Sequence, residues 1–223
     1  MNDPETRLNP FSASRIRPRA ATFLFPAGQN VEDLVDRLRR SRWRGQIVGP
    51  HGSGKSTLLF AILSALQRAG QSTLSTTLHR GQRRLPHGFL AAARRREKRD
   101  SPHLCEAPSG PFRQMGTVPF FLVAIDGYEQ LGLASRLLLG WSCRRLRLGL
   151  LVTSHRSAGL PDLCRTAIDP QLAWRVVERL QAGFPPLVAF EDVAPRLTRH
   201  GGDLRETLFD LYDVYADRRN RSG

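Results

Sequence analysis

The sequence feature that most constrains the fold is the glycine-rich segment GPHGSGKST at residues 49–57. Residues 49–56 match the pattern G-x-x-x-x-G-K-[ST] in full. A short apolar run precedes the segment, and leucine and isoleucine residues at helical spacing follow it. A glycine-rich turn that joins a strand to a helix is a building unit of parallel α/β sheets. This segment therefore predicts the fold class of the chain around it.

The residue types in this segment suit the binding of phosphate. Glycines let the backbone wrap closely around phosphate oxygens with its N–H groups turned inward, and the start of the following helix presents positive partial charge. We expect Lys55 to reach the β- and γ-phosphates, Ser56 to ligate Mg²⁺ and Thr57 to bind the α-phosphate. The segment thus predicts a site for ATP, or a close relative, with Mg²⁺. Its expected nucleotide contacts are Gly49, Pro50, His51, Gly52, Ser53, Gly54, Lys55, Ser56 and Thr57.

An acidic residue closes the most hydrophobic run of the chain. Residues 118–126, VPFFLVAID, predict a buried strand that ends at Asp126. If this strand is the neighbour of the strand before the glycine-rich segment, its carboxylate lies near Ser56 and holds Mg²⁺ through water. Glu129 is the nearest acid that could orient or deprotonate a water molecule. It could equally be a solvated acid in the first turn of the next helix.

Apolar runs and helical stripes alternate until residue 169, which indicates an α/β fold with a parallel, doubly wound sheet. The expected strands are at 46–48, 72–78, 118–126, 148–153 and 166–168. The expected helices among them are at 31–40 with Asn30 as N-cap, at 58–66 with Gly70 as terminator, and at 128–139. The helical stripes beyond residue 169 are at 172–180, at 190–197 with Pro195 near its first turn, and at 204–215.

This pattern divides the chain into three expected parts. Residues 1–22 form an extended N-terminal arm, and residues 23–169 form the nucleotide-binding domain. Within that domain, 79–116 is an arginine-rich insertion with a helix-compatible piece at 89–98. Residues 170–223 form a small helical lid.

With these residues placed, the chain resembles the AAA+ superfamily and its initiator-like and STAND-like relatives over about residues 43–217. Four segments carry the resemblance, in order: GPHGSGKST, FFLVAIDGYEQL, LLVTSHR and GGDLRETL. The resemblance implies a Mg²⁺-dependent ATPase whose nucleotide state moves the lid. It also implies sensor 1 at Thr153 or Ser154, beside His155, and sensor 2 at Arg205. A lid arginine folded over the γ-phosphate would supply mobile positive charge.

One departure from the family keeps other functions open. The chain reads D-G-Y-E where most members have an acid directly after the aspartate. This favours a regulator that binds ATP without hydrolysing it and acts as a switch on nucleic acid. A P-loop small-molecule kinase is a further alternative, with an arginine-rich lid at 80–99. An arginine finger, and with it the oligomeric state, cannot be assigned.

The formal net charge is +14, almost all of it from arginine, with lysine only at Lys55 and Lys98. Arginine clusters at 94–99, 144–147 and 218–221 could contact a protein partner or nucleic acid, or the charge could reflect an arginine-rich composition. The three cysteines predict neither a disulfide framework nor a zinc site. No apolar run is long enough for a membrane helix and no secretory signal is evident, so we expect a cytoplasmic protein without a membrane partner.

Overall fold

The computed structural model describes residues 9–17, 23–25, 28–99 and 121–222. The chain divides into two compact units. The helical unit comprises Met1–Pro26, Gly49–Leu58 and Thr166–Gly223, and the sheet unit comprises Ala27–Val48 and Leu59–Arg165. The expected bounds 1–22, 23–169 and 170–223 stay a prediction. Parts of the expected arm and insertion, and the beginning of the strand expected at 118–126, lie outside the described residues.

The sheet unit contains a parallel five-stranded sheet in the order β2-β3-β4-β1-β5. The strands are β1 Arg44–Val48, β2 Thr73–Thr77, β3 Leu122–Asp126, β4 Gly149–Ser154 and β5 Asp162–Arg165. The helices of the described residues are α1 Val31–Arg40, α2 Lys55–Arg68, α3 Phe89–Arg99, α4 Leu133–Arg145, α5 Pro170–Gln181, α6 Phe190–Arg199 and α7 Leu204–Ser222. The predicted α/β fold with a parallel sheet and C-terminal helices is confirmed.

Helices cover both faces of the sheet. On one face, alternate residues of β3 and β4 form a buried core with α3 and α4. Its central members are Phe89, Ala93, Val123, Ile125, Leu139, Cys143, Leu150 and Val152. On the other face, a Cβ built on Gly45 of β1 would lie 3.2 Å from Leu38 Cδ1 of α1. The predicted doubly wound arrangement is therefore present.

The fifth strand lies earlier than predicted. It spans Asp162–Arg165, whereas residues 166–168 contain no strand. The buried side chain of Gln46 in β1 fixes this position: its Nε2 donates to Leu160 O at 2.7 Å and to Asp162 Oδ1 at 2.6 Å. A buried amide must find partners, so these hydrogen bonds determine which residues pair with β1.

The helix expected at 128–139 begins later. A 3₁₀ turn at Tyr128–Gln130 comes first, and α4 starts at Leu133. The Arg136 side chain donates to Leu131 O at 2.8 Å and to Glu129 O at 2.7 Å. These carbonyl groups are therefore satisfied without a continuous helix. The capping of α1 by Asn30 and the positive φ of Gly70 after α2 agree with prediction.

The three C-terminal helices form the core of the helical unit together with residues near the N-terminus. Phe11 is fully buried and contacts the Tyr215 ring edge-on, with 5.9 Å between centroids. Asn9 Nδ2 donates to Tyr212 O at 3.0 Å. The predicted place of Pro195 near the first turn of its helix is wrong. Since α6 begins at Phe190, Pro195 lies beyond that turn and removes one backbone donor from the helix.

Among the described residues, no helix has the length and apolar character required to cross a bilayer.

Candidate functional site

The glycine-rich segment joins β1 to α2, as predicted, and two of its glycines need a left-handed backbone. Gly52 has φ +63° and Gly54 has φ +83°, values that residues with a Cβ rarely adopt. Lys55 opens α2, so the first turn of the helix follows the loop directly. Ser56 and Thr57 lie in this first turn, and both residues are partly exposed. The segment therefore has the strand–loop–helix context of an anion site.

The Lys55 ammonium group is folded onto the loop. Its Nζ donates to Gly49 O at 2.8 Å and to Pro50 O at 2.5 Å, and the residue is only 8% exposed. His51, which follows Pro50 in the loop, is exposed. The positive charge is therefore held at the loop.

The beginning of the loop packs against Thr166, which sequence reasoning placed in a strand and not at the site. Ser53 Oγ lies 2.7 Å from Thr166 Oγ1 and donates to Pro50 O at 2.8 Å. A Cβ built on Gly49 would overlap Thr166 Oγ1 and lie 2.5 Å from Thr166 O. Gly49 is thus required for space. No sequence pattern around Thr166 predicts this contact.

The tip of the loop contacts the start of α7. A Cβ built on Gly52 would overlap the Asp203 carboxylate and lie 3.0 Å from Leu204 N. Asp203 Oδ1 accepts from the backbone N–H groups of Arg205 and Glu206, at 2.9 and 3.2 Å, and so caps α7. The loop and the cap of α7 therefore share one small volume within the helical unit.

Arg205 lies two residues beyond that cap. Its guanidinium carbon is 5.7 Å from the centroid of the Phe209 ring, a cation–π contact along the helix. Its expected contact with the γ-phosphate stays a prediction.

At the carboxyl edge of the sheet, Thr153 joins the ends of β3 and β4. Its Oγ1 donates to Asp126 Oδ1 at 2.6 Å and accepts from Gly127 N at 2.9 Å. The neighbouring hydroxyl of Ser154 instead donates to Arg156 O at 2.5 Å. Of the two residues considered for sensor 1, Thr153 is the one bonded to the strand-terminal acid.

The expectation that β3 is the neighbour of β1 is wrong. The strand β4 lies between them, because β1 pairs with β4 and β4 pairs with β3. Two strand spacings separate the strand that ends in Asp126 from the strand before the loop, about 10 Å in a regular sheet.

Glu129 is paired with His155, which the sequence suggested only as a neighbour of the sensor. His155 Nε2 lies 3.0 Å from Glu129 Oε1, and both side chains are about one quarter exposed, 26% and 25%. The other carboxylate oxygen, Oε2, is buried without a hydrogen-bond partner. Glu129 therefore has one oxygen held by the imidazole and one still able to accept a hydrogen bond.

Carboxylate and hydroxyl oxygens, as at Asp126 and Ser56, are ligands that Mg²⁺ accepts. Within the described ranges, no cluster of three or more His, Cys, Asp or Glu side chains could hold a metal ion. A Mg²⁺ ion held by one or two protein oxygens together with substrate phosphates needs no such cluster.

One comparison with known proteins, that with solved structures, found a similar fold. No family model matches the chain, and no curated protein matches it. A solved structure described as a DNA replication initiation factor is similar to it, with a TM-score of 0.51 and 14% sequence identity. The shared feature is the fold. The match covers 89% of this chain and 66% of that chain, so our chain spans less than two thirds of the length of its neighbour.

Proposed function

We propose that this protein binds Mg-ATP at residues 49–57 and hydrolyses it, and that the bound nucleotide repositions the C-terminal helices. The observation that carries the proposal is the complete G-x-x-x-x-G-K-[ST] loop between β1 and α2, with Lys55 folded onto it. The initiation-factor structure shares the fold, and 14% identity carries no activity from it to this chain.

In this proposal the loop provides most of the binding. Backbone N–H groups of the loop and of the first turn of α2 surround the phosphates. Lys55 exchanges its two carbonyl partners for β- and γ-phosphate oxygens, and Thr57 contacts the α-phosphate. Ser56 and Asp126 are the proposed protein ligands of Mg²⁺, which when bound neutralises charge on the phosphate oxygens.

The hydrolytic step is assigned to Glu129. His155 fixes one carboxylate oxygen, and the unpartnered Oε2 accepts a hydrogen bond from the attacking water. Thr153 orients Asp126 through their short hydrogen bond.

The coupling to the helices rests on the contact between Gly52 and Asp203. Phosphates on the loop add negative charge close to the Asp203 carboxylate, and like charges repel. The start of α7 would then shift, and Arg205 would replace the repulsion by an attractive contact with the γ-phosphate.

The test is phosphate release from Mg-ATP, with nucleotide affinity measured alongside, for wild type, Lys55→Ala, Glu129→Gln and Arg205→Ala. We expect Lys55→Ala to lose binding, and Glu129→Gln to bind ATP without turnover. Arg205→Ala should bind and turn over more slowly. A wild type that binds no nucleotide would refute the proposal, and transfer of phosphate to an acceptor would indicate a kinase.

A non-hydrolysing switch is the second candidate. Gly127 stands where an acid would directly follow Asp126, and it adopts φ +79° before the 3₁₀ turn that carries Glu129. Tight ATP binding by wild type without phosphate release, lost in Lys55→Ala, would support this function.

A further inference from the structure

Helix α4 presents large apolar side chains to solvent. Leu133, Leu137, Leu138 and Trp141 are 77%, 75%, 55% and 58% exposed. Leu133, Leu137 and Trp141 follow one another at intervals of four residues and form a line along one face of the helix. With 1.5 Å of rise per residue, this line is about 12 Å long. We call these four side chains the α4 stripe.

The α4 stripe plays no part in the core of the sheet unit. The opposite face of the helix supplies the core through Leu139 and Cys143, both fully buried. In the part of the chain that the structure describes, the only other exposed large hydrophobic residue is Phe60, at 36%. Single exposed apolar residues are ordinary, whereas a contiguous group marks a surface that another molecule covers.

The end of α4 next to the stripe is strongly basic. Arg144, Arg145 and Arg147 are all exposed, and the Arg145 guanidinium lies 5.8 Å from the centroid of the Trp141 ring. Residues 131–161 contain no acidic residue. None of the ion pairs among the described residues involves these three arginines. Their charge is therefore available to an acidic partner.

We propose that the α4 stripe and its arginines are a docking site for an amphipathic helix of another protein. That helix carries apolar side chains opposite the stripe and a cluster of Asp or Glu opposite Arg144, Arg145 and Arg147. A helix whose apolar residues recur every three to four positions matches a line of this length and spacing. The arginines select orientation and partner, while the leucines and Trp141 supply the buried area.

Other occupants match the surface less well. A second copy would bring its own α4, which offers no carboxylate to the arginines in either orientation. Nucleic acid would satisfy the arginines through phosphates but leave the leucines in water. A membrane-surface helix carries its basic residues along the polar face, whereas here they lie at one end of the stripe.

The experiment uses the full chain and four labelled probes. The first is an 18-residue amphipathic helix with leucines on one face and four glutamates at one end, and the second has lysines in place of those glutamates. The third is vesicles containing anionic lipid, and the fourth is a 20-nucleotide DNA duplex. Binding is measured by fluorescence anisotropy for the peptides and DNA and by co-sedimentation for the vesicles.

We expect the glutamate peptide to bind about tenfold or more tightly than the lysine peptide. Leu137→Ser with Trp141→Ser should weaken that binding about tenfold or more, whereas the control Phe60→Ser should not. Arg144→Glu with Arg145→Glu should reverse the preference between the peptides. Thermal unfolding of each variant checks that it is folded.

Several results would overturn the proposal. Equal binding of both peptides would contradict the proposed docking site. Peptide binding that is unchanged by Leu137→Ser with Trp141→Ser would also contradict it. Binding of vesicles or DNA in place of peptide would assign the surface to another class of partner. Self-association that Leu137→Ser with Trp141→Ser abolishes would assign it to a second copy. The result does not depend on nucleotide chemistry.

Discussion

The glycine-rich loop and the carboxyl edge of β3 and β4 are stabilised in different ways. In the loop, space and backbone conformation restrict which residues fit. Gly49 has no room for a Cβ, and Gly52 adopts a left-handed φ. At the strand edge, side chains from adjacent strands hold one another, through the hydroxyl of Thr153 and the imidazole of His155. One added methyl group should therefore damage the loop, whereas the edge should respond to the loss of a donor or acceptor.

The largest effect is expected for Gly49→Ala, because its Cβ would overlap Thr166. The free energy of unfolding should fall by roughly 1–3 kcal/mol, typical of overpacking, and nucleotide binding should be lost with it. The matched control is Gly140→Ala in α4, where a Cβ meets nothing within 4 Å. That change should leave stability equal or raise it by up to about 1 kcal/mol through helix propensity. Urea unfolding measures the free energy of unfolding of both variants. Equal stability of the two would contradict the statement that the loop has no room for a methyl group.

An intermediate effect is expected for Thr153→Val, which keeps the shape and removes the hydroxyl. Asp126 loses a donor and Gly127 N loses its acceptor, in surroundings where Thr153 itself is buried. Because Asp126 and Gly127 are partly exposed, we expect a loss of about 1–2 kcal/mol, in the lower part of the range for unsatisfied polar groups. Thr153→Ser is the control, because it retains the hydrogen-bonding group. If the Thr153→Val and Thr153→Ser variants unfold at the same urea concentration, the hydrogen bonds of the Thr153 hydroxyl do not stabilise this edge of the sheet.

The smallest effect is expected for His155→Ala, because the pair with Glu129 is partly exposed. Its loss should lower the free energy of unfolding by about 0.5–1.5 kcal/mol. His155→Gln can still donate to Glu129 Oε1 and should recover most of that difference. If hydrolysis occurs as proposed, alanine should lower kcat more than glutamine does, with KM for ATP little changed. Identical kcat values for the two variants would show that His155 contributes to stability and not to hydrolysis.

The same contrast explains what the sequence could predict. The loop is contiguous, so its residues, its strand–helix context and the fold class could be read directly from GPHGSGKST. The edge depends on register and strand order, which no local pattern encodes. Sequence reasoning therefore placed β3 beside β1 and missed the pairing of Glu129 with His155. The position of β5 was likewise determined by the hydrogen bonds of buried Gln46 and not by strand propensity.

The two contacts of the loop inside the helical unit have a geometric consequence. Thr166, beside Ser53, lies just before α5, and Asp203, beside Gly52, lies just before α7. Of the two, the contact at Asp203 is the one that the proposal expects to change, which leaves Thr166 as the point held against the loop. If nucleotide binding moves the helices as proposed, they would pivot near Thr166, and residues far from it would travel the longest distances.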